Sequence, residues 1–161
     1  MDAIYLVIGL VILALALYDI FQSVVVPRPT PGRFRLARYV IPPTWKAWRA
    51  IANRTRTGLS RDSFLGLFAP GAAVLLLAMW LASLVVGYGF VLFAIRAQVT
   101  PGPASLAEAI YFAGTSVLTL GYGEIIATGG LARVVVLVSA ATGLGVVALV
   151  ITFLFSLFAS Y

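Results

Sequence analysis

Residues Thr119-Leu120-Gly121-Tyr122-Gly123 are of types that can meet a cation stripped of its water. A hard alkali ion is held by oxygen, and a peptide offers neutral oxygens in a column only when successive carbonyls face one axis. An ordinary strand alternates its carbonyls and fails at this. A chain that alternates left-handed with right-handed or extended residues succeeds, and glycine reaches positive φ without steric cost. Gly121 and Gly123 stand two residues apart, as such an alternation requires. Thr119 adds a hydroxyl to its carbonyl at one mouth. Leu120 and Tyr122 are then expected to point away from the axis and wedge the loop against Tyr111 and Phe112. Glu124 supplies an acid at the other mouth, where it either concentrates cations or is simply solvated.

These five residues need elements that hold them. Pro101-Gly102-Pro103 breaks the chain upstream, and Ser105-Leu106-Ala107-Glu108 reads as a capping box that opens a short helix over 105–118. That helix is too short to cross a bilayer, and its apolar run Ala109-Ile110-Tyr111-Phe112 predicts burial inside protein. The negative end of its dipole then points toward the membrane centre, which favours a cation there. Irregular backbone at that depth is tolerated only where it lines a polar cavity.

The rest of the chain supplies the membrane. With 62% hydrophobic residues over 161 positions, a mean hydropathy of +1.08, no cysteine and no histidine, a soluble enzyme, a disulfide framework and a Cys/His metal centre are not expected. Three stretches, 3–26, 64–95 and 131–159, are each long enough to span, which takes about 20 helical residues. The first opens without a basic n-region, so a cleavable signal is not expected. Nine of the eleven Lys and Arg fall between Arg28 and Arg61. That asymmetry places the 28–61 loop on the cytoplasmic side, against anionic lipid headgroups rather than nucleic acid, with the N-terminus outside and the C-terminus inside. Within this loop, from Pro43, Trp45, Trp48, Ala52 and Thr55 share one helical face while Lys46, Arg49, Asn53 and Arg56 share another. The pattern predicts a helix in the headgroup layer with its tryptophans down, the alternative being a basic linker.

An outer helix over 63–96, a short helix over 105–118, Thr-x-Gly-Tyr-Gly at 119–123 and an inner helix over 131–160 together resemble the pore domain of tetrameric potassium channels, whose filter signature is Thr-Val-Gly-Tyr-Gly. The resemblance covers 63–161. It implies that the carbonyls of Thr119, Leu120, Gly121 and Tyr122, with the Thr119 hydroxyl, coordinate K⁺. It also implies a homotetramer, since one chain carries one pore loop, and an inner-helix hinge at Gly143, twenty residues past Gly123. Close helix packing is the other reading of Gly143 and Gly145. Leu120 replaces the commoner Val or Ile, Leu118 a second Thr, Glu124 the usual Asp and Ala127 a frequent Pro. Thr115 stands where some members carry an acid, so a buried carboxyl pair behind the filter is not expected. The segment 1–26 is an additional membrane helix and 27–62 the basic loop that follows it.

The expected fold is therefore an all-α membrane protein with three transmembrane helices, a re-entrant pore helix and a filter loop, assembled as a tetramer. The expected function is passive, potassium-selective conduction, with K⁺ as the transported ion and no cofactor. Rival readings are a nonselective or sodium-conducting channel of the same architecture, a secondary transporter, and a non-conducting regulatory subunit. No nucleophile–base pair or phosphate loop stands out, so no enzyme chemistry is expected. Val147, Ile151 and Phe155, at i, i+4 and i+8, are candidates for the pore-facing stripe, and a ring of Phe155 would make a dewetting gate; lipid-facing phenylalanine is the alternative. Arginine at every third position of a helix is absent, which argues against a voltage sensor of that kind. Alanine and arginine usage with a minimal pore points to a prokaryotic plasma membrane.

Two features fall outside that scheme. Val85-Val86-Gly87-Tyr88-Gly89 also contains Val-Gly-Tyr-Gly, yet no capped helix precedes it and it lies inside an unbroken apolar run. It is expected to be helix, its glycines and Ser83 admitting a close neighbour. Asp19 lies about 10 Å short of the inner boundary at 1.5 Å per residue. It is expected to anchor to a basic residue of 28–61 or to snorkel beside Gln22.

Overall fold

The computed structural model of the chain describes residues 2–25, 36–55 and 64–159. The Pro27-Arg28-Pro29 break, the Asp62 or Ser63 cap and the cations Arg28, Arg33, Arg35, Arg56 and Arg61 lie outside them. Helix α1 covers Asp2–Ile20 and runs into a π-helical turn, Phe21–Val25. Helix α2 is Leu36–Thr55 and helix α3 is Phe68–Ala94. A 3₁₀ turn at Arg96–Gln98 and strand β1, Val99–Thr100, lead to helix α4, Leu106–Val117. Strand β2, Ile126–Ala127, then precedes helix α5, Gly130–Ala159. Among the described residues three helical stretches, Asp2–Ser23, Phe64–Ala94 and Gly130–Thr152, are long and apolar enough to cross a membrane. The protein is an all-α membrane protein in that sense.

Helix α3 is the hub. Its buried residues Trp80, Leu84, Tyr88 and Leu92 join Phe112, Ala113 and Val117 of α4 and Val146 and Val150 of α5 in one apolar core. Its entry is broken at Leu67, because Pro70 has no N–H for the Gly66 carbonyl and its ring crowds that carbonyl. The Gly71 amide takes the Leu67 carbonyl at 3.1 Å and the helix proceeds.

Helix α1 is fastened to α3 along its length. A Cβ on Gly9 would lie 2.8 Å from the Gly87 carbonyl oxygen, and one on Gly87 would lie 2.8 Å from Leu13 Cδ2, so the crossing depends on both glycines. At the N-terminal end of α1 Asp2 pairs with Arg96 at 3.4 Å, and Arg96 lies over the Phe93 ring. At the C-terminal end of α1 Trp80 Nε1–H donates to Asp19 Oδ2 at 2.6 Å. Asp19 is 2% exposed, which overturns the snorkelling alternative: its carboxylate is turned into protein.

The tryptophans of α2 find partners within the protein. Trp48 stacks on Phe64 at 4.5 Å and donates to the Phe64 carbonyl at 3.0 Å, Trp45 meets Phe68 edge-on, and Ala52 is fully buried. This face of α2 is packed on the entry to α3, where offset and edge-on ring pairs add to the area buried. The helix also begins earlier than Pro43, with Pro42 and Pro43 inside it.

The excursion between α3 and α5 is tied at its neck. Strands β1 and β2 pair antiparallel, Val99 with Ala127 and Thr100 with Ile126. The Gln98 carbonyl accepts the amides of Thr128 (2.9 Å) and Gly129 (3.0 Å), while its Oε1 accepts the amide of Ala132 at 3.3 Å, one of the unpaired donors at the start of α5. This closes a loop in which α4 and residues 118–125 are held between α3 and α5.

Candidate functional site

Helix α4 starts on its predicted cap. Ser105 Oγ accepts the Glu108 amide at 3.3 Å, and the Glu108 carboxylate reaches back to the Ala104 amide at 2.8 Å. The reciprocal bond falls one residue earlier than the usual box, but two orphan donors are still satisfied. Ala109, Phe112, Ala113, Thr115, Ser116 and Val117 are buried, as the apolar run requires.

The other end of α4 determines where the filter segment points. The amide of Leu118 bonds to Gly114 O at 3.0 Å and that of Thr119 to Ser116 O at 3.0 Å. The amides of Leu120 and Gly121 both reach Thr115 O, at 2.8 and 3.3 Å. The N–H groups of the loop are thus turned back onto the helix. Every second residue is left-handed: φ is +57° at Thr119, +59° at Gly121 and +78° at Gly123. Among the described residues the carbonyl oxygens of Thr119, Leu120, Gly121 and Tyr122 accept no hydrogen bond. Backbone carbonyls left without a donor cost free energy unless a cation or water meets them. No cluster of His, Cys, Asp or Glu that could hold a metal ion occurs among the described residues.

Thr119 is the departure from the glycine-only expectation. A β-branched residue at positive φ is a true outlier, costing on the order of 1–3 kcal/mol. The surrounding amide bonds impose it, and it keeps a hydroxyl at the start of the loop that glycine would lack. Thr119 Oγ1 donates its hydrogen to Leu118 O at 2.7 Å, which leaves the oxygen lone pairs open.

Leu120 and Tyr122 are 51% and 64% exposed, while Phe112 is buried in the core with α3. Tyr111 donates its hydroxyl to Glu124 Oε2 at 2.9 Å, strapping the outer end of the loop to α4. Accepting that bond, the Glu124 carboxylate holds the Tyr111 phenol above its usual range. Neither Tyr111 nor Gln98 was legible as a fastener, since each partner is distant in sequence. Beside the loop runs a groove of about 530 Å³, lined by Thr115, Thr119 and Gly121 on one side and by Val136, Leu137 and Ala140 on the other.

On α5, Gly143 faces α4: a Cβ there would collide with the Val117 carbonyl, so close packing is one reason for this glycine. Val147 is half-buried, whereas Ile151 and Phe155 are exposed, Phe155 at 72%. Leu137 and Leu144 extend that exposed face at a seven-residue spacing from Ile151. That spacing was available in the sequence and marks the same stripe. Val85–Gly89 is α-helical within α3, as expected.

The ion-channel family matches residues 75–160, which takes in most of α3, the whole excursion and α5. No significant match to the chain was found among curated proteins or among solved structures.

Proposed function

The chain belongs to the ion-channel family of two-span, potassium-channel-type pore domains, and from that premise we propose that it is a passive, potassium-selective channel assembled as a homotetramer. The carbonyls of Thr119, Leu120, Gly121 and Tyr122 and the Thr119 hydroxyl replace the hydration shell of K⁺, which crosses down its gradient with no cofactor. The observation that carries the reading is the alternation of left-handed residues at 119, 121 and 123 with unpaired carbonyls between them, at the C-terminal end of a buried, capped helix. Four-fold assembly would give the exposed Leu120 and Tyr122 a seat against a neighbouring copy, for which the groove beside the filter offers room. The exposed stripe Leu144, Ile151 and Phe155 then faces the axis as an apolar cavity wall and Glu124 rings the outer mouth.

The basic segment 28–61 supports a plasma-membrane orientation with the N-terminus outside and the C-terminus in the cytoplasm, the loop meeting anionic lipid. Tyr122 favours potassium over a sodium-conducting filter, where an altered residue at this position is expected.

Purified protein in liposomes is expected to dissipate a K⁺ gradient faster than a Na⁺ gradient and to be blocked by barium. Equal K⁺ and Na⁺ flux overturns selectivity, and absence of flux overturns conduction altogether.

A further inference from the structure

Three successive residues of α3 face three different helices. Gly87 meets Leu13 of α1, Gly89 meets Ile110 of α4, where a Cβ would lie 2.6 Å from Ile110 Cγ1, and Tyr88 meets Thr142 of α5. The two glycines let α1 and α4 close in on either side, and the tyrosine between them is 5% exposed. Its hydroxyl lies 2.9 Å from Thr142 Oγ1.

The direction of that bond follows from its neighbour. Thr142 Oγ1 is also 2.6 Å from the Val138 carbonyl, which can only accept. The single Thr142 hydrogen is committed there, so Tyr88 donates. A threonine bonded to the carbonyl four residues back weakens and bends a helix, and Gly143 and Gly145 follow at once. The turn 138–145 is therefore a soft stretch of α5. It also touches the filter support, because Gly143 packs on the carbonyl of Val117, two residues before Thr119.

We propose that Tyr88 is a positioning residue for the ion path: its hydrogen bond latches the soft turn of α5 onto α3, and releasing the latch lets the inner helix bend away. The inference rests on the channel reading above and adds to it the contact that sets whether the path is open. A single such bond within a membrane bundle is modest. Lost from each of four copies, it shifts an open–closed equilibrium on the order of tenfold to a hundredfold.

Tyr88→Phe and Thr142→Val each remove this bond with little change of shape, and Thr142→Ser keeps it. The full chain is reconstituted in liposomes, and K⁺ flux, K⁺/Na⁺ preference and amide hydrogen exchange over residues 138–147 are read together. Expected are a K⁺ flux raised at least about fivefold in Tyr88→Phe and Thr142→Val, an unchanged K⁺/Na⁺ preference, faster exchange over 138–147, and near wild-type behaviour in Thr142→Ser. The double variant should go little beyond either single one, since both cut the same bond. Unchanged or lowered flux with unchanged exchange overturns the latch. So do additive effects in the double variant, a Thr142→Ser that behaves like Thr142→Val, or loss of K⁺/Na⁺ preference in Tyr88→Phe. If the wild-type protein carries no K⁺, the channel reading fails, and the latch stands or falls on exchange alone.

Discussion

Gly87-Tyr88-Gly89 and Gly121-Tyr122-Gly123 have the same composition and opposite uses. In the first, both glycines are helical and crowded, each with a neighbour inside 3.0 Å of where a Cβ would stand. In the second, both glycines have positive φ and nothing within 4 Å. Glycine has two distinct properties, the missing side chain and the freedom of φ, and this chain separates them. The tyrosines divide in the same way. Tyr88 is sealed among four helices, while Tyr122 projects from the subunit. What separates the two is context: a capped short helix and a chain break lie before the second, and an uninterrupted apolar helix surrounds the first.

The comparison breaks most visibly under the same substitution made in both places. Gly121→Ala puts a side chain into open space but at φ +59°, where an L-residue costs roughly 1–2 kcal/mol, and relief of that strain turns a carbonyl off the axis. On the tetrameric channel reading proposed above, K⁺ flux is expected to fall more than about tenfold, because every copy would disturb the same ring, with thermal stability nearly unchanged. Gly89→Ala should do the reverse. Its Cβ meets Ile110, including the backbone Cα at 2.8 Å, and overpacking of this kind costs about 1–3 kcal/mol. The yield and melting temperature should drop while the protein that survives still prefers K⁺. A Gly89→Ala protein that folds normally yet loses selectivity would erase the distinction between the two segments.

Next in size is the fastening of α1. Trp80→Phe leaves Asp19 without its indole donor in a buried site, at a cost of about 1–3 kcal/mol in thermal or denaturant unfolding. Gly87→Ala should match it by pushing Leu13, and α1 with it, off α3. Neither is expected to change K⁺/Na⁺ preference, since both sites lie on the packing of α1 against α3, away from the α4 carbonyls that hold residues 119–121. If either does, the additional helix is part of the filter's support and the division between the two segments is less sharp.

How much of this was legible follows the same line. The left-handed glycines at 121 and 123, the cap of α4 and the helical nature of 85–89 are local, decided by residues within a few positions of one another, and they read directly from spacing. The left-handed Thr119 was not read, because it is imposed by amides that bond back to Ser116 and Thr115 rather than by threonine's own preference. The two meanings of Gly143 could not be separated until Val117 was seen against it. Asp19 on Trp80, Tyr111 on Glu124, Gln98 on α5 and Trp48 on Phe64 all join residues far apart in sequence. For such pairs the residue types announce a need for a partner without naming it.

The smallest expected effect separates charge from strap at the outer mouth. Glu124 both carries a negative charge and accepts the Tyr111 hydroxyl at 2.9 Å. Glu124→Gln removes the charge but keeps a carbonyl oxygen for that hydroxyl, whereas Tyr111→Phe removes the strap and keeps the charge. If the charge serves to concentrate cations, Glu124→Gln should lower K⁺ flux about two- to fivefold at ionic strength near 0.01 M, where fields extend about 30 Å, and have no effect near 1 M, where they extend about 3 Å. Tyr111→Phe should be insensitive to salt and appear instead as faster amide exchange over 119–124. A Glu124→Gln loss that persists at high salt would mean that the carboxylate acts through its grip on Tyr111. The outer end of this filter would then be held as Tyr88 holds the inner helix, by one phenolic hydroxyl on a neighbouring element.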